Sequence, residues 1–156
     1  MSAEPPRRPK RSLGQNFLVD ANIQRKIVDA LGAGAASEVV EIGPGRGALT
    51  RHLAGRVRRL VLVELDDHLA GALAEEYAGR SDVRVVHADA LEVEIASLTE
   101  APGEAHVVGN IPYNITTPLV FHVLERPRPA TILLMVQEDV AARIVAPPGT
   151  REYGAL

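Results

Sequence analysis

Five short apolar runs, each followed by a stretch with helical spacing, constrain this chain more than any other feature. They are Glu38–Ile42, Leu60–Val63, Val83–Val86, Ala105–Val108 and Thr131–Val136. Ahead of the first, Asp20 is placed to cap a helix over 21–31 in which Ile23, Ile27 and Leu31 recur every fourth residue, and Gly32 ends it. Further helices are predicted over Ala48–Ala54, over Asp67–Tyr77 with Leu69, Leu73 and Tyr77 on one face, after the fourth run with Pro118 in the first turn, and over Glu138–Val145. Strands that are short, apolar throughout and separated by helices imply an α/β fold with a parallel sheet covered on both faces. Right-handed crossovers make that sheet doubly wound. The first three strands wind one way and the fourth starts the other half, so strands one and four lie side by side, and ligands bind at that switch point. Five strands would leave the fifth at an open edge, so an incomplete polypeptide, truncated after the fifth strand, is expected.

At 156 residues and 46% hydrophobic, the chain has the size of one domain with a real core. The apolar runs are too short to cross a bilayer, and the opening segment has no stretch of signal-peptide length, so no membrane partner and a cytoplasmic location are expected. The absence of cysteine removes disulfides, thiolate metal sites and cysteine nucleophiles together. His52, His68, His87, His106 and His122 show no ligand spacing, and no metal is expected. Charge is uneven. Residues 1–12 set Arg7, Arg8, Lys10 and Arg11 against Glu4, a net of +3, which leaves −6 for the remainder of a chain whose total is −3. With Pro5, Pro6 and Pro9 among them, these residues read as a flexible basic arm, either a phosphate-contacting tail or a solubilising terminus. Residues 13–156 form the folded domain.

After the first strand runs Glu41-Ile42-Gly43-Pro44-Gly45-Arg46-Gly47, a turn whose glycines let backbone approach a ligand closely. Glu64 closes the second strand, where a carboxylate meets ribose hydroxyls in nucleotide-binding sheets. Gly43, Gly45 and Ala48 also satisfy the loose dinucleotide pattern G-x-G-x-x-A, so an NAD-dependent dehydrogenase stays under consideration. Three features tilt the choice toward S-adenosylmethionine. Glu41 puts a carboxylate where a pyrophosphate is repelled and a sulfonium or ammonium attracted. Asp89, after the third strand, is placed to accept from an adenine amine. The neighbouring crevice offers no proton-transfer residue for a hydride acceptor. Each carboxylate also reads as a helix cap or a solvated strand end.

That crevice is edged by Asn110-Ile111-Pro112-Tyr113. A side-chain carbonyl at a strand end, a backbone carbonyl kept out of the helical region by the following proline, and a flat ring suit a planar heterocycle bearing an exocyclic amine, adenine above all. The bland alternative is a strand-to-turn exit with a packed tyrosine.

Taken together, Gln15-Asn16-Phe17-Leu18, Glu41-Ile42-Gly43-Pro44-Gly45, Glu64-Leu65-Asp66, Asp89-Ala90 and the block Asn110 to Pro118 (Asn-Ile-Pro-Tyr-Asn-Ile-Thr-Thr-Pro) resemble the successive motifs of the small-subunit ribosomal RNA adenine dimethyltransferases. The similarity runs from about residue 10 to the last residue. The related large-subunit enzymes that confer macrolide resistance share Gln-Asn-Phe and Asn-x-Pro-Tyr, but Gly43-Pro44-Gly45 and Thr116-Thr117-Pro118 look more like the small-subunit group. The resemblance implies a Rossmann-like methyltransferase fold with S-adenosylmethionine as cofactor, lined by Asn16, Leu18, Gly43, Glu64, Asp89 and Asn110. Glu41 and Gly45 join that set from the turn itself. It also implies dimethylation of two adjacent adenosines near the 3′ end of small-subunit RNA in a pre-30S-like particle, by a monomer. The catalytic group is then Asn110, Ile111, Pro112 and Tyr113, and Arg7, Arg8, Lys10 and Arg11 become RNA contacts. A large-subunit RNA methyltransferase and a non-catalytic nucleic-acid-binding assembly factor on the same fold are the alternatives. Family members continue with two more strands and a small helical domain.

Overall fold

Helix α1, Ala21–Leu31, begins where the Asp20 carboxylate accepts from the Asn22 amide at 2.7 Å and ends at Gly32, whose φ of 70° is left-handed. The computed structural model describes residues 17–154, and the basic arm lies outside the described residues. Val28 and Leu31 are the buried residues of α1, while Ile23 and Ile27 are half-buried. Leu31 and Ile27 thus keep the predicted stripe on the core, and Val28 widens it toward the neighbouring elements the helix touches.

All five strands form, as β1 (Glu38–Ile42), β2 (Arg59–Glu64), β3 (Val83–His87), β4 (His106–Asn110) and β5 (Thr131–Met135). They make one parallel sheet in the order β3-β2-β1-β4-β5, with β1 and β4 adjacent as the double winding requires. The helices between them are α2 (Thr50–Leu53), α3 (Asp67–Glu76), α4 (Thr116–Val123) and α5 (Glu138–Val145). Helix α2 is shorter than the predicted 48–54. Gly43, Gly45 and Gly47 all have positive φ, and Gly47 at 80° holds the chain out of helical geometry until the glycine turn is complete.

Alternation along the strands divides the core into two layers. Val39, Leu60, Leu62 and Val108 face α1, α2 and α3, together with Leu31, Leu53 and Leu73. Val40, Val61, Val63 and Val107 face α4 and the irregular segment that carries Ile95 and Leu98. Each fully buried leucine or valine of this kind contributes about 1.5–3 kcal/mol, so the central strands are the rigid frame. At the β5 edge every residue is only half-buried, and α5 has no buried residue. Among the described residues no helix is long and apolar enough to cross a membrane, and no group of side chains has the makings of a metal site.

Candidate functional site

Register brings the end of β1 to the middle of the sheet. Ile42 lies between Val63 of β2 and Gly109 of β4. The Gly43 amide extends the ladder by donating to the Val63 carbonyl at 2.9 Å, after which the chain turns away with φ of 65° at Gly43 and 58° at Gly45. A Cβ placed on Gly43 would stand 3.5 Å from the backbone oxygen of Asn110. On Gly45 it would meet nothing within 4 Å. The glycine turn and the Asn110 loop, far apart in sequence, thus share one rim, and the turn fronts open space.

Three carboxylates stand at this edge of the sheet, each held by different partners. Glu64 is buried, and its two oxygens accept from the Gly45 amide at 2.9 Å and the Asp66 amide at 3.0 Å. It clasps the glycine turn to β2, and each oxygen keeps acceptor capacity for a further donor. Asp66 in turn caps α3 by accepting from the Leu69 amide at 2.9 Å. Glu64 pairs in register with His87, and Asp89 follows two residues later. One Asp89 oxygen accepts from the Leu91 amide at 2.9 Å, so the cap reading of this residue is realised, and its side chain remains half-buried at the rim.

Glu41 sits beneath the turn rather than along it, 2% exposed, and its Oε2 accepts the Thr50 hydroxyl at 2.7 Å. Burial pushes its carboxyl up from the ordinary 4.5 to about 7; the Thr50 hydrogen bond opposes that rise and the nearby Glu64 adds to it. By sequence alone Glu41 reads as a plain anion. In the fold burial favours its neutral form, and a neighbouring cation would favour the ionised one.

On the other side of the rim Asn110 ends β4, opposite Met135 of β5. The Ile111 amide donates to the Met135 carbonyl at 3.1 Å, and the Ile111 side chain is buried in the core. Gly109 makes this possible. A Cβ there would lie 2.8 Å from both Ile111 Cδ1 and the Ile42 carbonyl oxygen, so only glycine admits the close approach. The Pro112 carbonyl accepts from the Ile115 amide at 3.2 Å and from the Thr116 hydroxyl at 3.1 Å, which fastens the loop to the start of α4. Tyr113 is 76% exposed. That removes the packed-tyrosine reading of the tetrapeptide and leaves a ring free to stack.

Of the residues predicted from sequence, Gly43, Gly45, Glu64, Asp89, Asn110, Ile111, Pro112 and Tyr113 stand at the C-terminal edge of the sheet, with Glu41 under it. Leu18 is half-buried in the 3-10 turn Phe17–Val19, packed on the α1 side of the core. Asn16, Arg7, Arg8, Lys10 and Arg11 lie outside the described residues. Two residues escaped sequence reasoning. Thr50 gives no short-range sign of its bond to Glu41. Leu65 is 64% exposed between Glu64 and Asp66, an exposure that no sequence pattern announces. His87, assigned no chemistry from spacing, supports that exit by bonding the Leu65 carbonyl through Nε2 at 3.0 Å.

Residues 7–156 match the family model for ribosomal RNA adenine dimethylase. The chain is 49% identical to ribosomal RNA small subunit methyltransferase A of Moorella thermoacetica, covering 95% of this chain and 54% of that protein. It is 48% identical to the protein of the same name from Chlorobium luteolum, covering 94% and 53%. It therefore spans about half the length of these curated relatives. Among solved structures it is similar to the 23S rRNA methyltransferase ErmE, with a TM-score of 0.72 at 36% identity over 82% of this chain and 50% of that one. It is also similar to a dimethyladenosine transferase from Plasmodium falciparum, with a TM-score of 0.75 at 26% identity over 86% and 48%. A doubly wound sheet whose glycine turn and Asn-Ile-Pro-Tyr loop share one rim, matched over nearly all its length, places this chain in the ribosomal RNA adenine dimethylase family.

Proposed function

We propose that this chain carries the catalytic machinery for transferring methyl groups from S-adenosylmethionine to N6 of two adjacent adenosines near the 3′ end of small-subunit ribosomal RNA. The observation that carries the reading is the meeting of Gly43 with the Asn110 backbone, 3.5 Å from an added Cβ, beside the open space in front of Gly45. One loop then holds a methyl donor and the other a purine.

The residues present fit the donor. Gly43 and Gly45 expose backbone to the cleft, Glu64 and Asp89 offer acceptors to hydroxyls and an exocyclic amine, and the exposed Leu65 next to Glu64 offers an apolar face. Glu41, short of compensating donors, gains from a cation above it. Leu18 and Asn16 complete the proposed cofactor set. When bound, S-adenosylmethionine supplies an electrophilic methyl group on a sulfonium.

The adenine N6 lone pair is delocalised into the ring and must be localised before it attacks. The Asn110 side-chain oxygen and the Ile111 carbonyl accept the two N6–H bonds, favouring a pyramidal nitrogen. Pro112 holds the Ile111 carbonyl out of helical geometry, and the Tyr113 ring stacks on a base that has left its helix or loop. Positioning supplies most of the acceleration. The methylated nitrogen is acidic enough to lose its proton to solvent, so no strong base is required. Arg7, Arg8, Lys10 and Arg11 are proposed to contact RNA phosphates, in a monomer acting on a pre-30S-like particle in the cytoplasm.

The small-subunit assignment is favoured over the large-subunit one because relatives at 43–49% identity carry the small-subunit name, against 36% for ErmE. Incubation with undermethylated small subunits and with naked large-subunit RNA, followed by mass spectrometry of both RNAs, tests the reading. Dimethyladenosine confined to the small-subunit RNA is expected. Modification of only large-subunit RNA would shift the assignment, and cofactor binding without any methyl transfer would favour the non-catalytic factor.

A further inference from the structure

Gln24 of α1 connects two parts of the molecule that contribute to the rim. Its side-chain Nε2 donates to the Leu18 carbonyl, and its Oε1 lies 2.8 Å from Nε2 of His52 on α2. The first bond orients the amide. With the groups exchanged, Oε1 would face the Leu18 carbonyl, two acceptors against each other. The oriented amide then requires a proton on His52 Nε2. Both side chains sit part-buried, where water competes less for these bonds.

The consequence extends along α2. Thr50, at the start of this four-residue helix, is bonded to Glu41 under the glycine turn, and His52 stands two residues on. Helix α2 is too short to hold itself in place by its own hydrogen bonds. It is pinned on one side by Thr50 to β1 and on the other by His52 to α1, and through Gln24 to the backbone of the Leu18 turn. No simple sequence period links residues 18, 24 and 52, and the bonds are made by side chains that carry no other role in the site.

We infer that Gln24 and His52 are positioning residues, a hydrogen-bonded strap that holds the Leu18 turn in register with the glycine turn so that both meet the cofactor together. This rests on the reading that Leu18 and the glycine turn belong to one S-adenosylmethionine site. The pair touches neither the cofactor nor the purine, and acts by placing the backbone that does.

The test is calorimetric titration of the 156-residue chain with S-adenosylmethionine, alongside Gln24→Leu, His52→Phe, the double variant, His52→Gln and Glu64→Ala. Each single replacement of the strap is expected to raise Kd about fivefold, a factor equivalent to about 1 kcal/mol. The double variant should be no worse than the weaker single one, because both remove the same connection. His52→Gln keeps an N–H donor at the ε position and should bind within about twofold of the parent. A general loss of packing would lower thermal stability in all variants and would not be repaired by His52→Gln. If Gln24→Leu fails to fold, the His52→Phe and His52→Gln pair decides the matter alone. The strap is overturned if folded Gln24→Leu and His52→Phe bind within roughly 1.5-fold of the parent while Glu64→Ala loses binding. If the parent and Glu64→Ala titrate alike, the cofactor reading fails, and the strap fails with it.

Discussion

Strand β1 buries a glutamate near each end, and the two are treated in opposite ways. Glu38, at the N-terminal end, accepts from the Glu100 amide at 3.0 and 3.2 Å and from the Ala101 amide at 3.2 Å, and lies 3.0 Å from the Arg58 guanidinium. Two backbone amides and a guanidinium meet this carboxylate, and it ties the segment before β4 to the bottom of the sheet. Glu41, at the C-terminal end, has the Thr50 hydroxyl and a second carboxylate nearby, and its carboxyl is pushed up to about 7. One end of the strand commits its carboxylate to holding the fold together. The other holds it under-compensated, at the rim where ligands enter α/β sheets. Residue type and burial are nearly the same at both positions; the supply of donors separates them.

The contrast can be tested from its largest expected effect downward. Asn110→Ala, at the proposed methyl-transfer rim, should reduce turnover on the order of a hundredfold, as removal of a positioned polar group at a reacting centre does. Steady-state rates in a methylation-competent preparation check this, and turnover within about threefold of wild type would remove Asn110 from the reaction. Glu41→Gln should raise stability at pH 8 by up to about 3 kcal/mol and by much less at pH 5. The sign follows from the raised carboxyl: the stabilising neutral form is fully present below the unfolded value near 4.5 and is lost as pH climbs through about 7. Urea denaturation at both pH values measures the difference, and a stability change independent of pH would contradict the assignment.

Glu38→Ala should cost about 2 kcal/mol, since it strips buried backbone amides of a charged acceptor, yet leave the affinity for S-adenosylmethionine unaltered. A weakened Kd at constant stability would erase the distinction between the two ends of β1. Tyr113→Ala is the mildest change to the fold, because the ring is mostly in water. It should weaken binding of the RNA substrate by roughly 1–3 kcal/mol while melting at the wild-type temperature. Fluorescence anisotropy with a short target RNA, paired with a thermal melt, separates the two effects.

Much of this site is legible in the order of the residues. Gly43 and Glu64 can be picked out because a glycine turn and a carboxylate at successive strand ends form a local nucleotide-site pattern, although the carboxylate reads as well as a cap or a solvated strand end. Asn110 and Tyr113 stand in a tetrapeptide that by itself reads equally as a strand-to-turn exit with a packed tyrosine, and only the exposure of the ring sets that alternative aside. Thr50, Gln24 and His52 are invisible there for the opposite reason. Each acts through hydrogen bonds to residues elsewhere in the chain, and no period or motif encodes such partners. Glu41 falls between the two classes: its place before the turn is local, but the rise of its carboxyl pKa depends on burial by layers that form only on folding.

Alternation of short apolar runs with helical spacing determined, unaided, the parallel doubly wound sheet, the adjacency of β1 and β4, and the rim on which ligands are to be sought. Those features follow from periodicity and chirality, which act on neighbouring residues. Tertiary structure alone decided which of two buried glutamates is satisfied, that Gly109 must lack a side chain for Ile111 to fold back beside Ile42, and that Tyr113 faces water. Such outcomes depend on how much room and how many hydrogen-bond donors other segments bring to a point, and that number exists only once the layers have packed.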